Sequence, residues 1–322
     1  MNTARNEKAI VYVGGYWATN IGNAFYDFPI GIKLKEILGN RLTFLSDLNV
    51  HVWKNAKNAL EILDLIDAEM LLFSGPIFNV RFGAYKSLLQ SCARKGIEVG
   101  FISAGGNTYS HSEVTFVKKI LKESSVRIRF LSTRDEKCYE KYSSVAMKVY
   151  NGICFSAFLN DVYVPPKLDS KHYAFAFSYR HEPNISVVGD RFYFSKKRFW
   201  QRFSATLNGD KIVRLNHYFF TPFSLLQFNR PNMFYSDMPF GYLTIYASAI
   251  TTISDRVHAC AATMAYGGKS IYTKGSNRSK DGRNLLFDRM KVKFNNSREM
   301  YYDMDYISNE KINQLKFLNE VF

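Results

Sequence analysis

Residues 249–273 read Ala249-Ile250-Thr251-Thr252-Ile253-Ser254-Asp255-Arg256-Val257-His258-Ala259-Cys260-Ala261-Ala262-Thr263-Met264-Ala265-Tyr266-Gly267-Gly268-Lys269-Ser270-Ile271-Tyr272-Thr273. The short apolar run Ala249–Ile253 predicts a buried strand. Val257–Tyr266 is mostly small residues and ends on Gly267-Gly268, which predicts a helix packed closely on a sheet. Lys269–Thr273 predicts the next strand. The stretch is therefore a β-loop-α-β unit, with Ser254 or Asp255 as its expected N-cap. Arg256 and His258 fall in the first helical turn, beyond the carboxyl end of a strand. Ligands of open α/β sheets bind there, and a helix N-terminus favours anions.

The same logic runs upstream. Strands are predicted at Ala9–Val13, Leu42–Leu45, Glu69–Phe73, Val99–Ser103 and Arg127–Ser132. Helices are predicted up to about Leu38, at Tyr85–Lys95, Val114–Lys122 and Glu136–Tyr142, with Pro29 delaying or bending the first. The turn Gly105-Gly106-Asn107 follows the fourth strand. Strands alternating with helices imply a parallel sheet covered on both faces. Val164-Pro165-Pro166-Lys167 is the linker candidate. Beyond it a strand at Tyr173–Ser178, a helix at Lys196–Leu207 and a strand at Lys211–Leu215 repeat the pattern. The expected fold class is α/β, with two Rossmann-like domains facing a central cleft, residues 1–165 and 170–322.

The chain has 322 residues, 47% of them hydrophobic and 16% aromatic, enough for two cores. No apolar run is long enough to span a bilayer. The polar start, Met1 to Lys8, lacks the apolar segment of a signal peptide, which predicts a cytoplasmic protein. Cys92, Cys138, Cys154 and Cys260 have no metal-ligand spacing and read as reduced core residues; no metal is expected. The net charge is +15, and from Lys171 onward 22 basic residues stand against 12 acidic ones. Such a field attracts phosphorylated small molecules, anionic lipid or nucleic acid, although no recognisable RNA or DNA module is present. Basic clusters occur at Lys196-Lys197-Arg198 with Arg202, and at Lys274, Arg278, Lys280, Arg283 and Arg289.

Four motifs in order resemble the polysaccharide pyruvyl transferase family, whose members are similar in fold to two-domain GT-B glycosyltransferases. They are Asn20-Ile21-Gly22-Asn23, Phe73-Ser74-Gly75-Pro76, Ser132-Thr133-Arg134-Asp135 and Ser254-Asp255-Arg256-Val257-His258-Ala259. Pro76 departs from the family's more glycine-rich loop. The resemblance implies transfer of a pyruvyl group from phosphoenolpyruvate, as donor substrate and with no cofactor, to a sugar of a glycan or lipid-linked glycan precursor. It implies an acceptor side in the first domain and a donor side in the second.

That chemistry needs forked cations for the donor's phosphate and carboxylate, an acid for the methylene carbon and a base for the hydroxyl. Arg256 and Arg134 suit the donor anion, with Lys274 and Arg278 at the same cleft mouth. His258 suits proton transfer, base being the easier role at a helix N-terminus. Asp135 would orient a hydroxyl, and Asn20 and Asn23 would bind the acceptor. Bland readings stand beside these: a capping or interdomain ion pair for Arg134-Asp135, a turn with its N-cap for Asn20 and Asn23, and a solvated loop for Lys274 and Arg278. The alternative enzyme is a GT-B-type glycosyltransferase with a nucleotide-sugar donor, for which Asp255 would matter more. A third reading is a non-catalytic protein that binds nucleic acid or an anionic membrane; peripheral membrane contact is also compatible with a lipid-linked acceptor.

Overall fold

The computed structural model describes residues 7–15, 17, 20–46, 62–177, 181–195, 203–218, 228–273 and 282–322. The first half contributes β1 (Ala9–Gly14), β2 (Leu42–Ser46), β3 (Ala68–Ser74), β4 (Glu98–Ala104), β5 (Ile128–Thr133) and β6 (Lys148–Asn151). They form one sheet in the order β2-β1-β3-β4-β5-β6, with every pairing parallel. Its central strands are near-continuous apolar runs because helices cover both faces. Successive residues of β1 accordingly enter different cores, Ile10 and Tyr12 one, Val11 and Val13 the other.

The helices of this half are α1 (Ala24–Leu38), α2 (Lys86–Lys95), α3 (His111–Ser124), α4 (Glu136–Tyr142) and α5 (Leu159–Val162). α1 begins ahead of Pro29, which lies inside it, so the helix does not start late. Ser110 caps α3 by accepting from the Glu113 N–H at 3.3 Å. The Glu113 carboxylate in turn accepts from the N–H groups of Thr108 and Tyr109, both at 3.0 Å, which fixes the loop after β4.

The second half is built on β7 (His172–Ala176), β11 (Asp210–Leu215), β13 (Thr251–Ser254) and β14 (Ser270–Tyr272), all parallel where they pair. Short strands extend this sheet. β10 (Thr206–Leu207) is antiparallel on one side, and β16 (Met300–Tyr301) and β15 (Lys293–Phe294) are antiparallel on the other. β12 (Met233–Phe234) adds a parallel pairing to β11. Strand–helix alternation did not announce these edges. β8 (Asn184–Val188) and β9 (Arg191–Ser195) form a separate hairpin. Of the helix expected at Lys196–Leu207, residues 196–202 lie outside the described residues and Thr206–Leu207 is a strand.

α6 (Pro239–Ser248) and α7 (Val257–Ala265) complete the interior of this half, followed by α8 (Leu285–Arg289) and α9 (Met304–Val321). One continuous core joins the halves, with Tyr26 and Phe155 of the first against Tyr242, Val257 and Ala262 of the second. α9 runs back over the first sheet. Phe317 stacks on Tyr150 at 5.2 Å, and the buried Gln314 accepts from the Ile153 N–H at 2.7 Å and donates to its carbonyl at 3.2 Å. The proline-containing segment 164–167 connects α5 to β7. No described helix is long and apolar enough to cross a membrane.

Candidate functional site

Arg134 follows β5 directly, and its N–H donates to the Ala104 carbonyl at 3.1 Å. Its side chain is 1% exposed. Nη1 lies 3.5 Å from His258 Nε2, which comes from the first turn of α7 in the other half. The remaining nitrogens, Nε and Nη2, are buried with no hydrogen-bond partner among the described residues. Arg134 makes no ion pair with Asp135 or any other described carboxylate, so the ion-pair reading of Arg134-Asp135 is not what forms. Burial works against the charge, but Cys154, Tyr109, Asp135 and Tyr26 around it outweigh that and raise its pKa; the two donors left without acceptors cost about 1–3 kcal/mol each.

Asp135 has another partner set. Oδ1 accepts from the Cys138 N–H at 2.9 Å, capping α4, and Oδ2 accepts from the Tyr109 hydroxyl at 2.6 Å. Burial raises its pKa, partly offset by the Tyr109 bond and by Arg134. Both oxygens are thus committed within the fold, and Asp135 is a capping residue 2% exposed rather than a group facing the site.

His258 packs on the Tyr26 ring, centroids 4.9 Å apart. Gly75 makes that possible: its φ is +69°, and a Cβ there would sit 2.5 Å from the Tyr26 ring. Burial, then the charges of Arg134 and Arg283, then His217, hold the His258 pKa well below the ordinary imidazole value, so the ring is neutral at pH 7. A guanidinium only donates, so Nε2 presents its lone pair to Arg134 and the ring hydrogen is assigned to Nδ1.

The N-cap of α7 is Arg256, not Ser254 or Asp255. Ser254 is buried in β13; its hydroxyl donates to the Ala176 carbonyl at 2.6 Å and accepts from the Arg256 N–H at 2.8 Å. The N-terminus of α7 has no side-chain cap and no acidic residue in its first turn. Its unsatisfied N–H groups and positive dipole end therefore add to the cationic field. Arg256 Nε is 3.1 Å from Asp255 Oδ1, and its guanidinium lies 4.4 Å above the Tyr218 ring. Asp255 also meets His181 Nδ1 at 3.4 Å.

The Asn20–Asn23 segment is the turn its composition suggests. Asn20 Oδ1 accepts from the Gly22 N–H at 3.2 Å, and its amide donates to Asn23 Oδ1 at 3.3 Å. The turn docks across the halves, with the Ile21 N–H donating to the His217 carbonyl at 3.2 Å. Asn23 Nδ2 is buried without an acceptor. Lys274 and Arg278 lie outside the described residues. Arg283 sits beside a junction in which the Gly282 N–H donates to the Asn107 carbonyl at 2.5 Å. Arg289 is drawn away from the basic cluster, bonded to the Asn151 carbonyl and Glu310, each at 2.6 Å.

Several residues here escaped the sequence reading. His217 follows β11 at its carboxyl end, a position that could have drawn attention by the same rule that found His258. Its Nε2 is 2.6 Å from the Tyr246 hydroxyl, and burial, then Arg256, pushes its pKa down to about 3. Asp27, inside α1, accepts from Tyr12 and Ser74 at 2.5 and 2.9 Å, at the carboxyl ends of β1 and β3. Among the described residues no group of three or more His, Cys, Asp or Glu could hold a metal ion.

No protein-family model matches the chain, and no curated protein matches it. Solved structures do. S. aureus MnaA with UDP aligns with TM-score 0.54 and 10% identity over 98% of each chain. The Neisseria meningitidis UDP-GlcNAc 2-epimerase bound to UDP-GlcNAc aligns with TM-score 0.52 and 12% identity, over 97% of this chain and 92% of that one. The Rickettsia bellii UDP-N-acetylglucosamine 2-epimerase aligns with TM-score 0.50 and 10% identity over 98% of each. These findings overturn the expectation of pyruvyl transfer from phosphoenolpyruvate: two of these three structures are named as UDP-N-acetylglucosamine 2-epimerases and the third holds UDP. At such low identity the likeness shows the architecture alone, two Rossmann-like halves in the GT-B-like arrangement.

Proposed function

We propose that this protein is an enzyme that binds a nucleoside diphosphate sugar between its two halves and transfers the sugar to an acceptor hydroxyl. The observation that carries this reading is Arg134, a buried guanidinium with two unsatisfied nitrogens beside His258 and the uncapped N-terminus of α7. Two buried guanidinium donors without acceptors call for an anion that can accept from them, and these groups come from both halves. A diphosphate has two charged groups to match: Arg134 from the first half, and Arg256 with the α7 N-terminus from the second. The fold likeness to structures holding UDP and UDP-GlcNAc supports the same ligand class, as analogy.

The chemistry follows from the charges. As the bond between the anomeric carbon and the diphosphate oxygen breaks, negative charge grows on the leaving group. Fixed guanidinium groups and helix N–H donors stabilise that charge without reorganising. The acceptor oxygen forms the new bond to the anomeric carbon and gives up its proton to His258 Nε2. In the free protein that lone pair faces Arg134. An anion that draws Arg134 onto itself releases the lone pair, so donor binding arms the base.

A thermal-shift series with UDP, GDP, CDP and their sugar conjugates tests the reading. A ligand selective for the folded state raises the melting temperature by mass action. A rise with one nucleoside diphosphate that is absent for the matching nucleoside is expected. No rise with any diphosphate overturns the proposal.

A further inference from the structure

Arg134 and Asp135 are consecutive in the chain, and both are buried. Their charged ends also lie close together. Gly105 carries no side chain, and the point its Cβ would occupy is 2.5 Å from Arg134 Nε and 3.1 Å from Asp135 Oδ2. A buried carboxylate beside a buried guanidinium with donors to spare is expected to close on it, since burial favours paired and hydrogen-bonded charges. It does not. Arg134 Nε and Nη2 keep no acceptor among the described residues.

Tyr109 holds the carboxylate off. Its hydroxyl donates to Asp135 Oδ2 at 2.6 Å and accepts from the Gly106 N–H at 2.6 Å, so the phenol oxygen is fixed from both sides. The Cys138 N–H holds Oδ1 at 2.9 Å. The ring is seated between two glycines, one from each half: a Cβ on Gly106 would lie 2.7 Å from it, and one on Gly282 3.1 Å. The Tyr109 backbone is left-handed, with φ +54°, a conformation that aromatic residues seldom adopt and that persists where the surroundings impose it. The hydroxyl's two bonds impose it here, with the Glu113 carboxylate, which accepts from the Tyr109 N–H at 3.0 Å. Burial, then Cys138 and Asp135, push the phenol pKa well up, so the hydroxyl keeps its proton and remains a donor at neutral pH.

We infer that Tyr109 is a positioning residue for the anion site: by occupying Asp135 Oδ2 it withholds that carboxylate from Arg134 and leaves the guanidinium to a diphosphate. The ligand rests on the nucleoside diphosphate reading of the cleft; the withholding of the carboxylate does not. If Asp135 paired with Arg134, an incoming phosphate would have to displace it. Apparent affinity would then fall in proportion to the fraction of molecules left unpaired.

Tyr109→Phe keeps the ring and removes the hydroxyl. Titration calorimetry with UDP, GDP and CDP should show the Kd of whichever diphosphate the wild type binds raised about tenfold, as if Asp135 held Arg134 in about nine molecules of ten. Asp135→Asn keeps an oxygen for the Cys138 N–H and offers Arg134 no charge. Alone it should bind as the wild type does. Combined with Tyr109→Phe it should restore the wild-type affinity without restoring the melting temperature, because the Gly106 N–H still lacks its acceptor. A merely structural Tyr109 would give no such rescue. Side-chain NMR of the free protein reads the pairing itself. The Arg134 Nε–H signal, assigned by its loss in Arg134→Met, should move downfield and exchange more slowly in Tyr109→Phe, and return in the double variant. An unmoved signal in Tyr109→Phe, or a double variant that binds as weakly as Tyr109→Phe, overturns the inference. The NMR change without binding of any of the three diphosphates by the wild type would uphold the withheld carboxylate and overturn the nucleotide reading instead.

Discussion

Arg134 and His258 stand 124 positions apart in the chain and 3.5 Å apart in space, Nη1 to Nε2. Each leaves the carboxyl end of a parallel strand, β5 in one sheet and β13 in the other. The contact is therefore where the two halves bring their ligand-binding edges together. It is also an uncomfortable contact for a free protein. The guanidinium depresses the imidazole's proton affinity, and its own Nε and Nη2 have no acceptor among the described residues.

Stability and binding respond separately at this position. Arg134→Met keeps the aliphatic stem and removes the guanidinium. Losing two unsatisfied donors favours the free protein and losing the attraction to the buried Asp135 disfavours it, so its stability is expected to change by less than about 2 kcal/mol. The same variant should lose the rise in melting temperature that a nucleoside diphosphate produces. Calorimetric or fluorescence melting with and without UDP reads both effects at once. A variant destabilised by more than this and still stabilised by the nucleotide would show that Arg134 serves packing rather than anion binding.

Acid should weaken the fold through two histidines. Burial first, and neighbouring guanidinium groups second, lower the pKa of His258, and His217 is driven down to about 3. In the unfolded chain both titrate near 6.5. The folded state thus binds fewer protons between these values. The stability that goes with the neutral rings is fully present above about pH 6.5 and is lost as pH falls through the folded values, at roughly 1 kcal/mol per pH unit for each ring. Urea unfolding from pH 7 to pH 4.5 should show a steeper decline in the wild type than in His217→Gln, which keeps a donor toward Tyr246. Parallel declines would mean that His217 does not resist protonation.

The frame of this fold was legible because local chemistry and final environment agree. Glu69–Phe73 is apolar at four of five positions, and it lies in the middle of a parallel sheet. Val257–Ala265 is small enough to lie on β13 and β14, and its closing glycines stop it where expected. Arg134 and His258 were visible as strand-end residues. What could not be read locally were partners far away in sequence. α9 buries Lys311 and Gln314 on the same stripe as Ile307, Leu318 and Val321, which interrupts the apolar pattern of a core helix. Asp161 and Ile153, which satisfy those two polar groups, are 150 and 161 positions distant. Asp135 looked functional because of its neighbour, yet Tyr109 and the α4 cap take its oxygens. The two-residue edge strands carry too little pattern for any period to show.

Two glycines should respond differently to alanine. At Gly75 the backbone is left-handed and the new Cβ would overlap the Tyr26 ring at 2.5 Å, so Gly75→Ala is expected to cost about 2–4 kcal/mol from strain and overpacking together. At Gly105 the close neighbours are Arg134 Nε, also at 2.5 Å, and Asp135 Oδ2 at 3.1 Å, both of them side-chain atoms, and the backbone has no positive φ. Gly105→Ala should displace the guanidinium and weaken nucleotide binding about tenfold, while costing less stability than Gly75→Ala. Titration calorimetry alongside urea unfolding separates the two. Equal losses of stability with unchanged nucleotide affinity would contradict the placement of Arg134 at the ligand.

One buried amide adds to the aromatic and charged contacts that return α9 to the first sheet. Gln314 is fully buried, accepts from the Ile153 N–H and donates to the Ile153 carbonyl. Gly152 lies so close that a Cβ there would touch Gln314 Oε1. Gln314→Ala leaves a backbone donor and an acceptor buried without partners, at about 1–3 kcal/mol each. Gln314→Leu fills the volume but leaves the same two groups unpaired, so it should not restore stability. Gln314→Glu retains an acceptor for the N–H and should recover part of the loss when protonated, since the acid form also donates. Hydrogen exchange at the Ile153 amide makes the comparison direct. It should quicken in the alanine and leucine variants and slow again in the glutamate variant below its pKa. Unchanged protection in all three would mean that α9 is held by its aromatic contacts with Phe130 and Tyr150 and its charged contact with Asp161 alone.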